Sequence, residues 1–474
     1  MEARRVTELG VAQGPASGAQ FLRVAFAALA RAAGLAWADR YRRWALVVAV
    51  LAVGLRIAWV LYADVGPTDG RFDDTSWYHF SGHNIALGRG YINPFFGGPT
   101  AMWPPGYPAV LGALYFFVGP NVLAAKLLNV LLGALVSLVA YEIGARAFDR
   151  RTGLGAALIL AAFPSQVLFT SLLMSELLFE AVFAVTVLVV LRGAGTDGSV
   201  SRRVLVALGL LAGAGTLVRG EMGLFPLVLL AYWGLSTRAW RKAVRYAVTV
   251  AAVSLVFIGP WFVRNLVKMD APVVVSTTLG GNLWMGNHEG ASGHFEVREE
   301  YDRIARQYLH LSPAEQEVKL DRRFLREALS YMATHPVEEI RLAKDKLAAT
   351  YSGDDAALFW NEGFRGRPVV GDGLRSALKA VANDYYYAVL AGSVLGALAW
   401  ARRWRGPGLL LLLATLYWTA IHVVFFGDQR FHFAVLPFLS VLAAVPFAAA
   451  IAWVAGRLPR GAVRRVGVTE VARA

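Results

Sequence analysis

Residues 72–119 read FDDTSWYHFSGHNIALGRGYINPFFGGPTAMWPPGYPAVLGALYFFVG, and the reading of this stretch decides the fold. It holds adjacent carboxylates (Asp73, Asp74), two histidines (His79, His83), a cluster of aromatics, Gly/Pro-rich turns and the run Pro104-Pro105-Gly106-Tyr107-Pro108. Strongly apolar runs flank it at 44–63 and 121–141. Lipid offers no partner to an irregular backbone, so polar, turn-rich sequence between two bilayer-length runs has to lie at a membrane surface. The stretch therefore reads as the first external loop, with juxtamembrane helices, of an all-α integral membrane protein.

Composition agrees. Of 474 residues, 57% are hydrophobic and 17% charged, against about 25% charged in soluble domains, and the mean hydropathy is +0.48. A net charge of +14 would suggest nucleic acid in a soluble protein. Here the cations instead cluster in short loops between apolar runs, as in membrane proteins, and no nucleic-acid partner is expected. The absence of cysteine excludes disulfides, thiolate metal sites and cysteine nucleophiles.

Outward from the first loop, apolar runs fall at 44–63, 121–141, 152–170, 176–191, 203–218, 222–235, 246–262, 385–400, 409–426 and 432–454. Arg146, Arg150, Arg151, Arg192, Arg202, Arg203, Arg238, Arg241, Lys242, Arg245, Arg402, Arg403 and Arg405 fill alternate loops, whereas the first loop carries Asp64, Asp69, Asp73 and Asp74. The positive-inside rule then gives about ten spans with both termini cytoplasmic. The expected layout is a basic tail at 1–43, where 21–37 could form an interfacial helix; a transmembrane core at 44–266 that includes the loop 64–120; an external segment at 267–383; C-terminal spans at 384–456; and a basic tail at 457–474. The first bilayer-length run starts only at Trp44, which argues against a cleavable signal. Ala-, Gly- and Arg-rich usage points to a bacterial plasma membrane.

A carboxylate just beyond the outer end of a span can act as general base on a hydroxyl or ligate a cation; a solvated acidic turn is the plain alternative. Context lends weight to Asp74, which is followed by Tyr78, Gly88, Gly90 and the PPGYP run. Arg219, Arg264 and Arg430 end external-going runs and so break the positive-inside pattern. Local pairing, as of Arg219 with Glu221 or Arg430 with Asp428, is the plain reading of these positions; work beyond topology is the other. Arg56, inside the first span, and Lys126, near the outer start of the second, must face protein or water, Arg56 as a structural ion pair and Lys126 as a cation that snorkels outward. Glu176 starts a span and either supports the site or stabilises its helix N-terminus. His79, His83, His422 and His432 show no metal-ligand spacing and read as interface or hydrogen-bonding histidines.

The order of these features resembles the GT-C superfamily of polyprenyl-phosphate-sugar glycosyltransferases, on the branch of protein O-mannosyltransferases and lipid A aminoarabinose transferases. The resemblance rests on the acidic residue, Tyr78, the Gly88-x-Gly90-Tyr91 and PPGYP of the first loop, Ser175-Glu176-Leu177-Leu178-Phe179, Leu217-Val218-Arg219, Pro260-Trp261-Phe262-Val263-Arg264-Asn265, and Arg430 before Leu436-Pro437-Phe438. It implies a lipid-phosphate sugar donor, a glycan, lipid or protein acceptor, and a first-loop carboxylate as base. Spacing to Tyr78 maps that base to Asp74, with Asp73 kept open by the doubled Asp. Arg219, Arg264, Arg430 and Lys126 become donor-phosphate residues. Tyr78, His79, His83, Tyr107, Glu176 and Asn282 become pocket residues. Phosphate leaves without an acid, so one base and positive charge suffice, and inversion is expected. No cofactor is certain; a divalent cation, Mg2+ or Mn2+, would be held by Asp74 and Glu176. The competing reading is a transporter or flippase of lipid-linked sugars, against which stand the gathering of polar groups at one face and the lack of a repeat.

Overall fold

The computed structural model describes residues 39–193, 199–296, 299–401 and 406–457, with side chains described as far as 450. The expected interfacial helix at 21–37, the rest of the N-terminal tail as far as residue 38, Arg402, Arg403, Arg405 and the tail after 457 lie outside the described residues; residues 40–43 of the expected tail are the first turn of the first helix. Within them the chain is helical, and extended pairing is limited to isolated bridges such as Ile92 with Pro99.

Helix α1 (Arg40–Ala63) leads to the first loop, where α2 (Asp74–Ala86) and α3 (Gly106–Val118) pack on each other. Helices α4 (Val122–Ala147), α5 (Arg150–Ala162), α6 (Pro164–Leu168), α7 (Glu176–Gly193), α8 (Arg202–Val218), α9 (Phe225–Thr237) and α10 (Trp240–Lys268) follow. A second polar stretch holds α11 (Leu279–Gly286), α12 (Glu299–Arg306), α13 (Pro313–Thr334), α14 (Pro336–Thr350) and α15 (Ala356–Arg365). The chain then runs through α16 (Asp372–Trp400), α17 (Gly408–Val424), a short 3-10 turn over Gln429–Val435, and α18 (Leu436–Arg457).

Helix starts follow the polar punctuation of the sequence. Asp39, Asp73, Asn121 and Asp149 each accept a backbone N–H of the first turn, at 3.0, 2.8, 3.0 and 2.8 Å, satisfying donors a helix leaves orphaned. Small residues set close approaches where lipid supplies no hydrophobic drive. A Cβ on Gly144 would lie 2.7 Å from Gly153 Cα, so α4 and α5 pack backbone to backbone.

Among the described residues, four stretches are long and apolar enough to cross a bilayer: Arg40–Ala63, Val122–Ala147, Trp240–Lys268 and Gln429–Ala450. The pair Arg150–Ala162 and Pro164–Ser171, bent by 57°, makes a fifth if counted as one span. The ten expected spans are not reached on this measure. Helices α8, α9 and α17 have 17, 13 and 17 residues, roughly 20–26 Å at 1.5 Å per residue against a hydrocarbon core of about 30 Å, and α7 carries Glu176, Glu180 and Arg192. Lipid-type faces are plain on the long helices: Val256 is 61% exposed on α10 and Leu51 59% exposed on α1.

Arg56 is buried in α1 and, among the described residues, has no carboxylate within ion-pair distance. Its guanidinium donates to the carbonyls of Ala52, Leu160 and Ala161, each at 3.2 Å. Instead of the expected ion pair it therefore caps the last carbonyls of α5, which a helix end leaves free.

The two polar stretches clasp each other. Glu317 on α13 accepts from Thr100 Oγ1 (2.6 Å), Ala101 N (3.1 Å) and Thr277 Oγ1 (3.3 Å), and Arg71 donates to the carbonyls of Gly363 and Phe364 at 2.6 and 3.2 Å. Gly280 is required at its place, because a Cβ there would sit 1.9 Å from the Asp321 carbonyl oxygen. This closeness lets Gly280 N–H reach Asp321 Oδ1 at 2.6 Å and fixes α11 on α13.

Candidate active site

Between the first loop, the starts of α7 and of the Gln429–Val435 turn, the end of α8 and the second polar stretch lies a cavity of about 940 Å³. Its wall includes Asp73, Asp74, Tyr78, Glu176, Arg219, Asn282 and Arg430.

Helix geometry turns the two adjacent aspartates to different partners. Asp73 is the N-cap of α2, with extended backbone (φ −144°, ψ 167°); its Oδ1 accepts Ser76 N–H at 2.8 Å and its Oδ2 pairs with Arg71 Nε at 3.3 Å. Asp74 is the first helical residue, and its Oδ2 receives Arg430 Nη1 at 3.1 Å. Burial lifts the Asp74 carboxyl above its ordinary range; the Arg430 guanidinium draws it back and Glu176 pushes it up again, leaving the net shift upward. A second pair stands on the same wall. Arg219 Nη1 donates to Glu176 Oε1 at 3.1 Å, and Arg219 Nε lies 3.7 Å from Glu221. Arg219 thus has both its local partner and a distant one, whereas only the backbone N–H of Arg430 goes to Asp428, at 2.8 Å.

Aromatic rings hold both guanidiniums. The Arg430 carbon Cζ lies 5.2 Å from the Trp360 ring and 5.5 Å from that of Phe431; the Arg219 Cζ lies 5.9 Å from Phe431. Behind Tyr78, Tyr107 meets it edge-on with centroids 5.2 Å apart, and burial raises the Tyr78 phenol, so that it stays a neutral hydroxyl. Unsatisfied buried atoms gather here too: Glu176 Oε2, Arg430 Nε and both ring nitrogens of His422 have no hydrogen-bond partner.

Other residues singled out in the sequence lie outside this wall. Arg264 donates to the carbonyl oxygens of Thr100 (2.7 Å) and Tyr91 (2.5 Å) and stacks 4.8 Å from the Trp261 ring, so its fork holds first-loop backbone. His79 meets Tyr115 Oη at 2.9 Å between α2 and α3. Tyr107 donates to Asn129 Oδ1 at 3.2 Å. Lys126 is buried in α4, and His83 stands half-buried near the end of α2. Among the described residues, no group of three His, Asp or Glu side chains is placed to hold a metal ion. A cation between Asp74 and Glu176 would have to displace the guanidiniums they now hold. Trp360 and Phe431 were not singled out in the sequence, and His422, read there as an interface or hydrogen-bonding histidine, lines the cavity with neither ring nitrogen hydrogen-bonded. Aromatics at helix ends carry no sequence signal that separates a cation-holding ring from core packing.

Residues 103–263, about a third of the chain, match the family model described as dolichyl-phosphate-mannose-protein mannosyltransferase. That match takes in Glu176 and Arg219 but neither Asp74 nor Arg430. Among solved structures, the chain is similar to the archaeal oligosaccharyltransferase AglB from Archaeoglobus fulgidus in complex with an inhibitory peptide and a dolichol-phosphate, at 15% identity and a TM-score of 0.53. The likeness covers 90% of this chain and 53% of that one. This chain thus spans about half the length of AglB, and at this identity the likeness is one of fold. ArnT from Cupriavidus metallidurans bound to undecaprenyl phosphate gives 18% identity and a TM-score of 0.42, covering 88% of this chain and 81% of that one. No curated protein matches the sequence. The resemblance to GT-C glycosyltransferases carried by the motifs is therefore met again in a family model and in the fold.

Proposed function

We propose that the chain is a membrane glycosyltransferase that moves a sugar from a polyprenyl-phosphate donor to an acceptor hydroxyl, with inversion. The observation that carries this reading is the Asp74–Arg430 contact inside the cavity, with the Arg219–Glu176 pair on the same wall. Two guanidiniums can hold a phosphate through charge-assisted hydrogen bonds. Both now hold carboxylates, so a donor phosphate that takes Arg430 competes with Asp74 and frees it. The free carboxylate then accepts the proton of the acceptor hydroxyl as its oxygen bonds to the anomeric carbon. The bond from that carbon to the phosphate oxygen breaks, and the lipid phosphate leaves with the electron pair against Arg219 and Arg430. A single displacement inverts the anomeric centre, and no second carboxylate acts as nucleophile in this scheme.

In this reading Tyr78, Glu176 and Asn282 shape the pocket, while Arg264, Tyr107, His79, His83 and Lys126 support the first loop and its neighbours. The membrane is a bacterial plasma membrane crossed about ten times, with both termini cytoplasmic, the cavity external, and 267–383 as the external segment over it. The donor is a hexosyl or pentosyl phospholipid and the acceptor a glycan, lipid or protein. The test is incubation of the purified protein and its Asp74→Asn variant with a panel of radiolabelled polyprenyl-phosphate sugars, with and without chelator. Transfer that is lost in the variant supports the reading, and the chelator arm tests a cation shared by Asp74 and Glu176. Movement of intact lipid-linked sugar across vesicles without a glycosidic product, insensitive to Asp74→Asn, would replace it with a transporter.

A further inference from the structure

Arg430 is delivered to the cavity by the short 3-10 turn Gln429–Val435, and its guanidinium is held at the far end by Asp74 and by the rings of Trp360 and Phe431. Hydrogen bonds within a 3-10 segment are poorer than those of an α-helix, so the place of this backbone depends on outside ties. The residues flanking Arg430 supply them. Gln429 Oε1 accepts the Ala356 N–H at 3.1 Å, and Gln429 Nε2 donates to Ser352 Oγ at 3.3 Å. His432 Nδ1 donates to the Thr350 carbonyl oxygen at 2.9 Å, and its Nε2 meets Asp354 Oδ1 at 2.8 Å, with both side chains buried. All four partners lie in 350–356, the link between α14 and α15, and α15 carries Trp360, the ring 5.2 Å from the Arg430 Cζ. The link thus joins the turn that bears the guanidinium to the helix that bears its platform.

A neutral imidazole has one N–H, and the Thr350 carbonyl takes it, so a further proton is held between His432 Nε2 and Asp354 Oδ1. Packing does not require this arrangement. A phenyl ring would stack equally on Tyr386, whose ring lies 4.3 Å from the imidazole and 23° from parallel. Net stability does not require it either, because a buried ionic pair gains little over apolar residues of the same volume, and fixing one arrangement among several is its best-attested use. What the pair adds here is register, of the turn on the link and so of Arg430 on Trp360 and Asp74.

We propose that His432 is a positioning residue for Arg430: bonded at both ring nitrogens to the 350–356 link, it holds the Gln429–Val435 turn so that the Arg430 guanidinium stands against Asp74 and Trp360. The proposal rests on the glycosyltransferase reading of the cavity and deepens it. His432 is buried behind the cavity wall rather than in it, so it acts through Arg430 and touches neither donor nor acceptor.

The test is a double-mutant cycle on the full-length protein in detergent, over His432→Phe, Arg430→Met and the two combined. His432→Phe keeps the stack on Tyr386 and removes both N–H groups. Two quantities are measured: affinity for a synthetic polyprenyl phosphate against the uncharged polyprenol of equal length, and the pH profile of kcat/KM for transfer. His432→Phe alone is expected to weaken phosphate binding about tenfold, to leave polyprenol affinity unchanged, and to move the acid limb toward neutrality as Asp74 loses its cation. In the Arg430→Met background the same substitution is expected to change phosphate affinity by less than about twofold and to leave the limb in place. His432→Gln, which offers an amide donor to the same oxygens, is expected to recover most of the loss. If His432→Phe does not hold its fold, as judged by thermal unfolding and gel filtration, Asp354→Asn takes its place with the same expectation. Equal losses with and without Arg430, or an acid limb that stays put in the folded variant, would overturn the proposal and leave His432 a packing residue. Failure of the wild type itself to prefer polyprenyl phosphate over polyprenol would instead overturn the glycosyltransferase reading, and the part of His432 in the reaction with it.

Discussion

Arg430 Nη1 meets Asp74 Oδ2 at 3.1 Å across 356 residues of sequence, so the two ends of the chain share one ion pair inside the cavity. Asp73, adjacent to Asp74 in sequence, is turned instead to Ser76 and Arg71. The pairing separates two carboxylates that look equivalent in the sequence and leads to the expectations below.

Asp74→Asn is expected to abolish sugar transfer while the protein still elutes and melts as wild type, because Asn keeps the shape and loses the base. Asp73→Asn is expected to keep most activity, since Asn caps helices about as well as Asp, while Asp73→Ala should lower stability by about 1 kcal/mol. Transfer assays alongside thermal unfolding check all three. An inactive Asp73→Asn with an active Asp74→Asn would reverse the assignment.

The pH profile should carry the mark of burial. Asp74 works as a base only when ionised, and its carboxyl is lifted above the ordinary range chiefly by burial. The acid limb of kcat/KM should therefore lie above that of a solvent-exposed aspartate, with activity falling as pH drops through it. Arg430→Met removes the main influence that lowers the Asp74 carboxyl and should move the limb further toward neutrality. A limb that stays in place in this variant would show that the titrating group is not Asp74.

Arg219 and Arg264 should behave differently despite their similar places in the sequence. Arg219→Ala is expected to weaken donor binding and to leave Glu176 and Glu221 without their cation. Arg264→Ala is expected to act on stability, by about 1–3 kcal/mol, because its fork holds the Thr100 and Tyr91 carbonyls. Donor titration and thermal melts on both variants decide the matter. A clean donor-binding defect in Arg264→Ala at unchanged stability would place it in the site.

Glu317 joins the two polar stretches. Glu317→Ala leaves Thr100 Oγ1, Ala101 N–H and Thr277 Oγ1 without this acceptor, and should lower stability by about 2–4 kcal/mol. Transfer should fall with it, and limited proteolysis should cut the first loop faster than in wild type.

How much of this was legible beforehand depends on the range of the force concerned. Helix starts at Asp73, Asn121 and Asp149 follow from side chains that bond backbone two or three residues on, which sequence displays directly. The long apolar helices follow from runs that only lipid or a core can accept. Span number was less legible, because hydropathy does not say where a helix ends: α9 has only 13 residues, and Pro164 bends the α5–α6 segment by 57°. Arg264, Arg219 and Arg430 are indistinguishable as residues at the ends of apolar runs, yet one holds backbone carbonyls and two hold carboxylates.

The sequence by itself determined an all-helical membrane protein and a polar, turn-rich first loop between its first two long apolar helices. These depend on transfer free energies and local hydrogen bonds, which act over a few residues and leave a pattern in their order. Tertiary structure alone decided that Asp74 rather than Asp73 meets Arg430, that Arg219 reaches Glu176, that Arg264 is spent on the loop backbone, and that Trp360, Phe431 and His422 complete the wall. Those choices are made by side chains brought together from distant parts of the chain. A contact across 356 residues is fixed by packing, and packing leaves no periodic trace in the sequence.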